Sequence, residues 1–180
     1  MATIERVGMS TDVVASFATT LETLEVGVTR VAPADVAAAI DAGVRAPAVG
    51  VPIGIEGAAL PASVTVDPTG AELRAARTGV TPAALGVADY GSILLAADAA
   101  GTELASLFID LHVAVLPATA VVADMRSAFA WLGPQVREHG TSSIIATGPS
   151  ATADMGGLVR GAHGPAAVHV VLVEGGADEQ

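Results

Sequence analysis

The sequence predicts an α/β fold: a three-layer αβα arrangement with a mostly parallel sheet. Three observations carry that expectation. Helix-like and strand-like segments alternate from the amino-terminal part onward, the pattern of a parallel sheet covered by helices. The 180 residues fit one domain, 1–180, with tails at about 1–9 and 175–180. The chain is 52% hydrophobic but only 3% aromatic, so Ala, Val, Leu and Ile must build the core, and these pack into closely spaced layers.

The segments follow in order. "STDVVASFATTLETL" sets Val14, Phe17, Leu21 and Leu24 at helical spacing, with Ser10 or Thr11 as the cap. "EVGVTRV" is strand-like. "PADVAAAIDAG" has Pro33 near its start and Gly43 at its end, the usual helix asymmetry. "APAVGVPI" reads as a buried strand. "ASVTVDPTG" carries a short strand and a turn, "GAELRAAR" a helix, and "TGVTPAALGVADYG" strand, loop and turn. "SILLAA" is a strand. "LASLFIDLHVAVLPATAVVA" is long and apolar, but Asp110, His112 and Pro117 interrupt it, so it reads as loop, buried strand and helix start rather than a membrane span. "TAVVADMRSAFAWLG" places Val122, Met125, Phe129 and Leu132 on one helical face, ended by Gly133-Pro134. "SSIIAT" is a strand, "ATADMGGLVRG" a short helix stopped by Gly161, and "AVHVVLVE" the final strand. Strands on either side of a helix imply right-handed crossovers.

Composition excludes several functions. The net charge is -11, from 19 acidic and 8 basic residues, and every basic residue is Arg. Such a chain is a poor partner for nucleic acid or anionic membranes, which need clustered positive charge. Two explanations of the acidity stand: adaptation to high salt, where screening relieves self-repulsion, and a GC-rich genome that writes Arg and Ala in place of Lys. The acidic surplus favours the first. With no Cys there is no disulfide, thiol nucleophile or Cys-held cluster in this chain. "MATIERVGM" shows no secretory signal, so a cytoplasmic location is expected. Without Lys there is no P-loop lysine, and GxGxxG is absent.

The candidate site centres on "GPSATADM". Gly148 permits a sharp bend, and after Pro149 and Ser150 the unpaired N–H groups of a helix start would cradle a carboxylate or phosphate. In the plainer reading, Ser150 or Thr152 merely caps the helix, although no capping-box Glu or Gln follows. Asp154 would compete with a bound anion in that first turn, or instead take a proton or hold a substrate hydroxyl. His163, before Gly164-Pro165, is either a site residue or a histidine bonding a loop carbonyl. His112 and His169 lie in apolar strands and read as satisfied core or sheet-edge histidines. No two histidines stand at i, i+3 or i, i+4, so no helical metal motif is present. Asp89, just before Gly91, is a general base if burial raises its pKa, or an Asx-turn residue. Tyr90 offers a hydroxyl or covers a sheet edge, and Ser106 lacks a local base partner.

These segments resemble a family. "TGPSATADM…GLVRGAHGPAAVHVVLVE" is similar to the carboxyl-terminal signature of the LUD domain, the family of lactate-utilisation protein C. The matches are Gly148, Pro149, Ser150, Thr152, Ala153, Asp154, Gly161, His163, Gly164, Pro165, His169, Val170, Val171 and Leu172. "VADYGSILLAA" is similar to the family's Ala-Glu-Thr-Gly-Thr-Leu-Val-Leu, and "LASLFIDLHVAVLP" to its Ser-Leu-Leu-Pro-x-x-His-Val-Val-Val. Together they span Thr78 to Glu174. The chain departs from the pattern at Ala151, where the family has a basic residue, at Gly156, where it has Glu, and at Asp89-Tyr90, where it has Glu-Thr. The Pro before the histidine strand is absent.

The resemblance implies a fold related to the ribose-phosphate isomerase, glucosamine-phosphate deaminase and CoA-transferase group. It implies a subunit or accessory of a system oxidising L-lactate to pyruvate, with no cofactor in this chain and iron–sulfur clusters in partner proteins. The implied site joins Asp89, Asp154 and His163 as catalytic residues to Gly91, Gly148, Pro149, Ser150, Thr152 and Gly164 as binding residues for a small anionic ligand, without metal. Two alternatives stand beside it: a stand-alone enzyme or binding protein for a phosphorylated sugar, folate or CoA-type ligand, and a non-catalytic assembly subunit.

Overall fold

A computed structural model describes residues 11–154 and 156–175. The expected tail over 1–9, residues 176–180 of the other tail and the Ser10 cap lie outside them.

The central sheet has six strands in the order β1-β12-β7-β4-β2-β3, and every pairing is parallel. These are β1 (Gly27–Val31), β2 (Ala48–Gly50), β3 (Val64–Val66), β4 (Thr78–Pro82), β7 (Leu111–Pro117) and β12 (Ala167–Val173). The middle strands β7 and β12 are nearly all apolar because both their faces are covered. Ala114, Leu116, Val170 and Leu172 face one core, and Val113, Val115, Val171 and Val173 the other. Helix α2 (Val36–Gly43) packs Val36 and Ile40 into the second core. Helix α1 (Thr11–Thr23) packs Val14, Phe17 and Leu21 into the first, as its spacing predicts. The short helix α3 (Gly70–Ala75) opens on a capping box between Thr69 and Glu72.

The first core has a second wall that the sequence reading does not contain. A small sheet of order β8-β5-β6-β9 lies over it. Strands β5 (Leu85–Val87), β6 (Ser92–Ala97) and β9 (Ser142–Thr147) pair antiparallel, and β8 (Val121–Val122) pairs parallel with β5. Ile93 and Leu95 point into the first core, whereas Leu94 points outward against helix α5 (Met125–His139). The stretch read as strand, loop and turn is therefore two strands, β4 and β5, belonging to different sheets.

Three further expectations are corrected. Leu104 to Leu107 is not loop but part of helix α4 (Thr102–Leu107), which starts because the Asp98 carboxylate accepts the Thr102 N–H at 3.1 Å and its hydroxyl at 2.8 Å. The helix expected from Val122 and ended by Gly133-Pro134 starts instead at Met125, where Asp124 accepts the Ser127 N–H at 2.8 Å, and runs through Pro134 to His139. Val122 is held in β8, and Phe129 faces solvent. Gly133, which has no Cβ, relieves the clash of the Pro134 ring with the residue before it, and the helix continues without a Pro134 N–H to donate. Finally, "ATADMGGLVRG" is not a helix. Ala151–Thr152 (β10) and Val159–Arg160 (β11) form an antiparallel hairpin. The Gly156-Gly157 pair disfavours helix and supplies the bend between the strands.

Candidate functional site

The hairpin turn of β5–β6 ends at Gly91, and Gly148 follows the end of β9; both hold positive φ, 61° and 65°. Both back onto the carboxyl end of α1, where a Cβ on Gly91 would lie 2.8 Å from Leu24 Cδ1 and one on Gly148 3.6 Å from Leu24 Cβ. The Ser92 and Thr147 hydroxyls meet at 2.7 Å beside these turns and tie β6 to β9.

Beyond Gly148 the chain is held against the loop that precedes β12. The Ser150 N–H donates to the Pro165 carbonyl at 2.9 Å, and the Gly161 N–H to the Ser150 carbonyl at 2.9 Å. The His163 N–H donates to Ser150 Oγ at 3.2 Å. Ser150 is thus the knot joining "GPS" to "HGP". Its hydroxyl serves a loop and caps no helix.

These turns enclose a cleft of about 340 Å³ between the two sheets, at the amino ends of β7 and β12. Its floor is apolar, built from α1, β6, β9 and β12; its rim carries Thr147, Ser150 and His163. Of the residues singled out in the sequence, Gly91, Gly148, Pro149, Ser150, His163 and Gly164 border it. Asp89, Thr152 and Asp154 do not line it. Asp89 is exposed in the β5–β6 turn, and its N–H donates to the Ala123 carbonyl at 3.1 Å. Asp154 is exposed in the β10–β11 hairpin, where its N–H meets Thr152 Oγ1 at 3.4 Å. The anion cradle expected at a helix start loses its basis, since no helix follows the turn, and among the described residues no arginine lines the cleft. Arg160, the cation of the hairpin, pairs with Glu25 at 2.5 Å.

Ser106 and His112, neither expected at the site, also line the cleft. Ser106 reaches the cleft because Gly79 lets α4 lie directly on β4; its hydroxyl donates to the Glu103 carbonyl at 2.7 Å. His112 also lines the cleft while only 2% exposed. Its Nε2 lies 2.8 Å from Thr81 Oγ1, and burial pushes its pKa down to about 4. The signal in the sequence was a lone polar residue in a fully apolar strand, on the same alternate face as Ala114 and Leu116. His169 occupies the opposite face, bonded through Nε2 to Thr29 Oγ1 at 2.9 Å, and burial lowers its pKa.

A second cavity, of about 280 Å³, lies at the carboxyl ends of β4 and β7, the usual ligand position in open α/β sheets. Its polar members Asp98 and Thr102 are bonded to each other, which leaves it few groups for a ligand. Among the described residues no group of three or more His, Asp or Glu could hold a metal ion, and no helix is long and apolar enough to cross a membrane.

The family model of the LUD domain matches residues 14–173. No curated protein matches the chain. Among solved structures, the chain is similar to a DUF162 family protein from Deinococcus radiodurans, with a TM-score of 0.73 and 26% identity. The match covers 92% of this chain and 99% of that one.

Proposed function

The chain belongs to the LUD domain family, and on that premise we propose that it is a cytoplasmic, lactate-utilisation-C-like subunit or accessory of a system oxidising L-lactate to pyruvate. One observation carries the reading most: family-like segments far apart in sequence, around Gly91, Gly148 to Ser150 and His163 to Pro165, converge on one cleft.

The oxidation removes two electrons and two protons from the 2-hydroxy acid. This chain has no Cys with which to hold an iron–sulfur cluster, so the proposal assigns electron transfer to iron–sulfur partner proteins. Its own contribution is the cleft. The rim presents His163 and the backbone of two turns fixed by Ser150, a preorganised polar edge beside an apolar floor.

Deleting the gene in the source organism is expected to abolish growth on L-lactate but not on pyruvate, with restoration by the intact gene. Affinity purification of the full chain from lactate-grown cells is expected to bring down iron–sulfur proteins. Normal growth of the deletion strain on lactate would overturn the role.

A further inference from the structure

We propose that His112 selects the ligand of the cleft, and that this ligand carries an uncharged hydrogen-bonding group, such as an amide or ketone, on an apolar body larger than that of lactate. The inference rests on reading the cleft as the ligand site.

His112 is a buried polar group in the lining of that cleft. Its position on β7 shares the face of Ala114 and Leu116, and the ring is buried. Thr81 on β4 occupies Nε2. Nδ1 has no hydrogen-bond partner among the described residues, although each sealed side-chain nitrogen or oxygen there is paired. The cleft is the space that the ring borders, so Nδ1 is the atom left for a bound molecule.

The surroundings fix the chemistry. The ring is neutral at physiological pH, because burial opposes its protonation. Among the described residues no arginine lines the cleft. A carboxylate placed against the ring would have to bury its own charge and also overcome the burial that keeps the imidazole neutral, a desolvation cost that an uncharged group avoids. A neutral amide there satisfies Nδ1 in either tautomer, and a ketone does so where Nδ1 carries the proton, with no such penalty. The walls around it are Leu21, Ile93, Leu95, Ile144, Val168 and Val170, an apolar lining that the single methyl of lactate would leave largely uncovered. An acidic group on the same ligand would belong at the rim, toward His163.

The test uses the full chain uniformly labelled with nitrogen-15 and three probes: isocaproamide, isocaproate and L-lactate. Isocaproamide is expected to shift the His112 ring nitrogen resonances and to bind about tenfold or more tightly than isocaproate. His112→Phe is expected to erase that preference. The titration of the unaltered chain needs no variant, so it stands even if His112→Phe fails to fold. Equal or tighter binding of isocaproate or L-lactate overturns the inference and leaves the cleft as the ligand site. Unmoved His112 resonances with isocaproamide also overturn it. The cleft reading falls too only if all three probes leave Gly148, Ser150 and His163 unmoved.

Discussion

Thr81 Oγ1 lies 2.8 Å from His112 Nε2, joining β4 to β7 in the interior beside the cleft. Both residues are at least 98% buried. The bond fixes the ring plane and commits one nitrogen, so the tautomer is set by whichever group donates.

Replacing Thr81 by Val keeps the shape but strands a buried nitrogen. The expected loss is about 1–3 kcal/mol of stability, the desolvation penalty of an unpaired polar group. Thr81→Ser keeps the hydroxyl and is expected to lose less. Urea unfolding of the three proteins checks this, and a Val variant as stable as the parent would show that the bond contributes nothing.

The same histidine makes stability depend on pH. Its pKa is about 4 folded and 6.5 in the reference state. The unfolded chain therefore binds more protons between those values, and stability is lost as pH falls through that window. The full loss is about 3 kcal/mol, of which about 2 has gone by pH 5. His169, also shifted down by burial, adds a loss of the same sign. Denaturant unfolding between pH 7 and pH 5 is expected to show a falling stability that His112→Gln flattens in large part. The exposed carboxylates of Glu72 and Asp124, whose pKa values are lowered by hydrogen bonds to Thr69 and Ser127, act only at lower pH.

Gly79 is where α4 rests on the sheet. A Cβ there would lie 1.7 Å from the Ala105 carbonyl oxygen, a backbone atom that cannot turn aside. Gly79→Ala must therefore push α4 away, taking Ser106 and Leu107 from the cleft wall. A loss of about 3 kcal/mol or more is expected, at the upper end of overpacking. Gly43→Ala is the control: nothing lies within 4 Å of its Cβ, and the added methyl favours the helix. Thermal melts of both variants decide it.

Charge gives a fourth expectation. With 19 acidic residues against 8 arginines, like-charge repulsion outweighs the exposed pairs Arg30–Glu174, Arg77–Asp110 and Arg160–Glu25. Raising KCl from about 0.1 M to about 1 M shortens the screening length from about 10 Å to about 3 Å. The melting temperature is expected to rise over that range. A flat response would favour codon composition over salt adaptation as the source of the acidity.

What the sequence could say about these features depended on how local each one is. The parallel strands were legible because β7 and β12 are buried on both faces and read as apolar runs. The small sheet was not, because β5 and β8 have three and two residues, too few to show a period. The helix over "SATADM" was misread because Thr, Ala and Asp suit a helix start, while hairpin pairing of Ala151 with Arg160 is a nonlocal fact. Gly148, Ser150 and His163 stand out in the sequence through their motif, and all three border the cleft. His112 was passed over because a lone histidine in a buried strand looks the same whether a core or a cleft faces it.

The last expectation separates two residues of the "GPSATADM" segment. Ser150 lines the cleft, accepts the His163 N–H and sits between two backbone bonds that hold the loops together. Asp154 lies exposed in the hairpin and outside the lining. Ser150→Ala removes the acceptor for His163, loosening the rim at a stability loss of about 1 kcal/mol. It is expected to slow lactate-dependent growth in a strain carrying only that allele. Asp154→Ala is expected to leave both growth and stability close to the parent. The reverse ranking would move the functional centre out of the cleft and onto the hairpin, because no bond inside the cleft depends on Asp154.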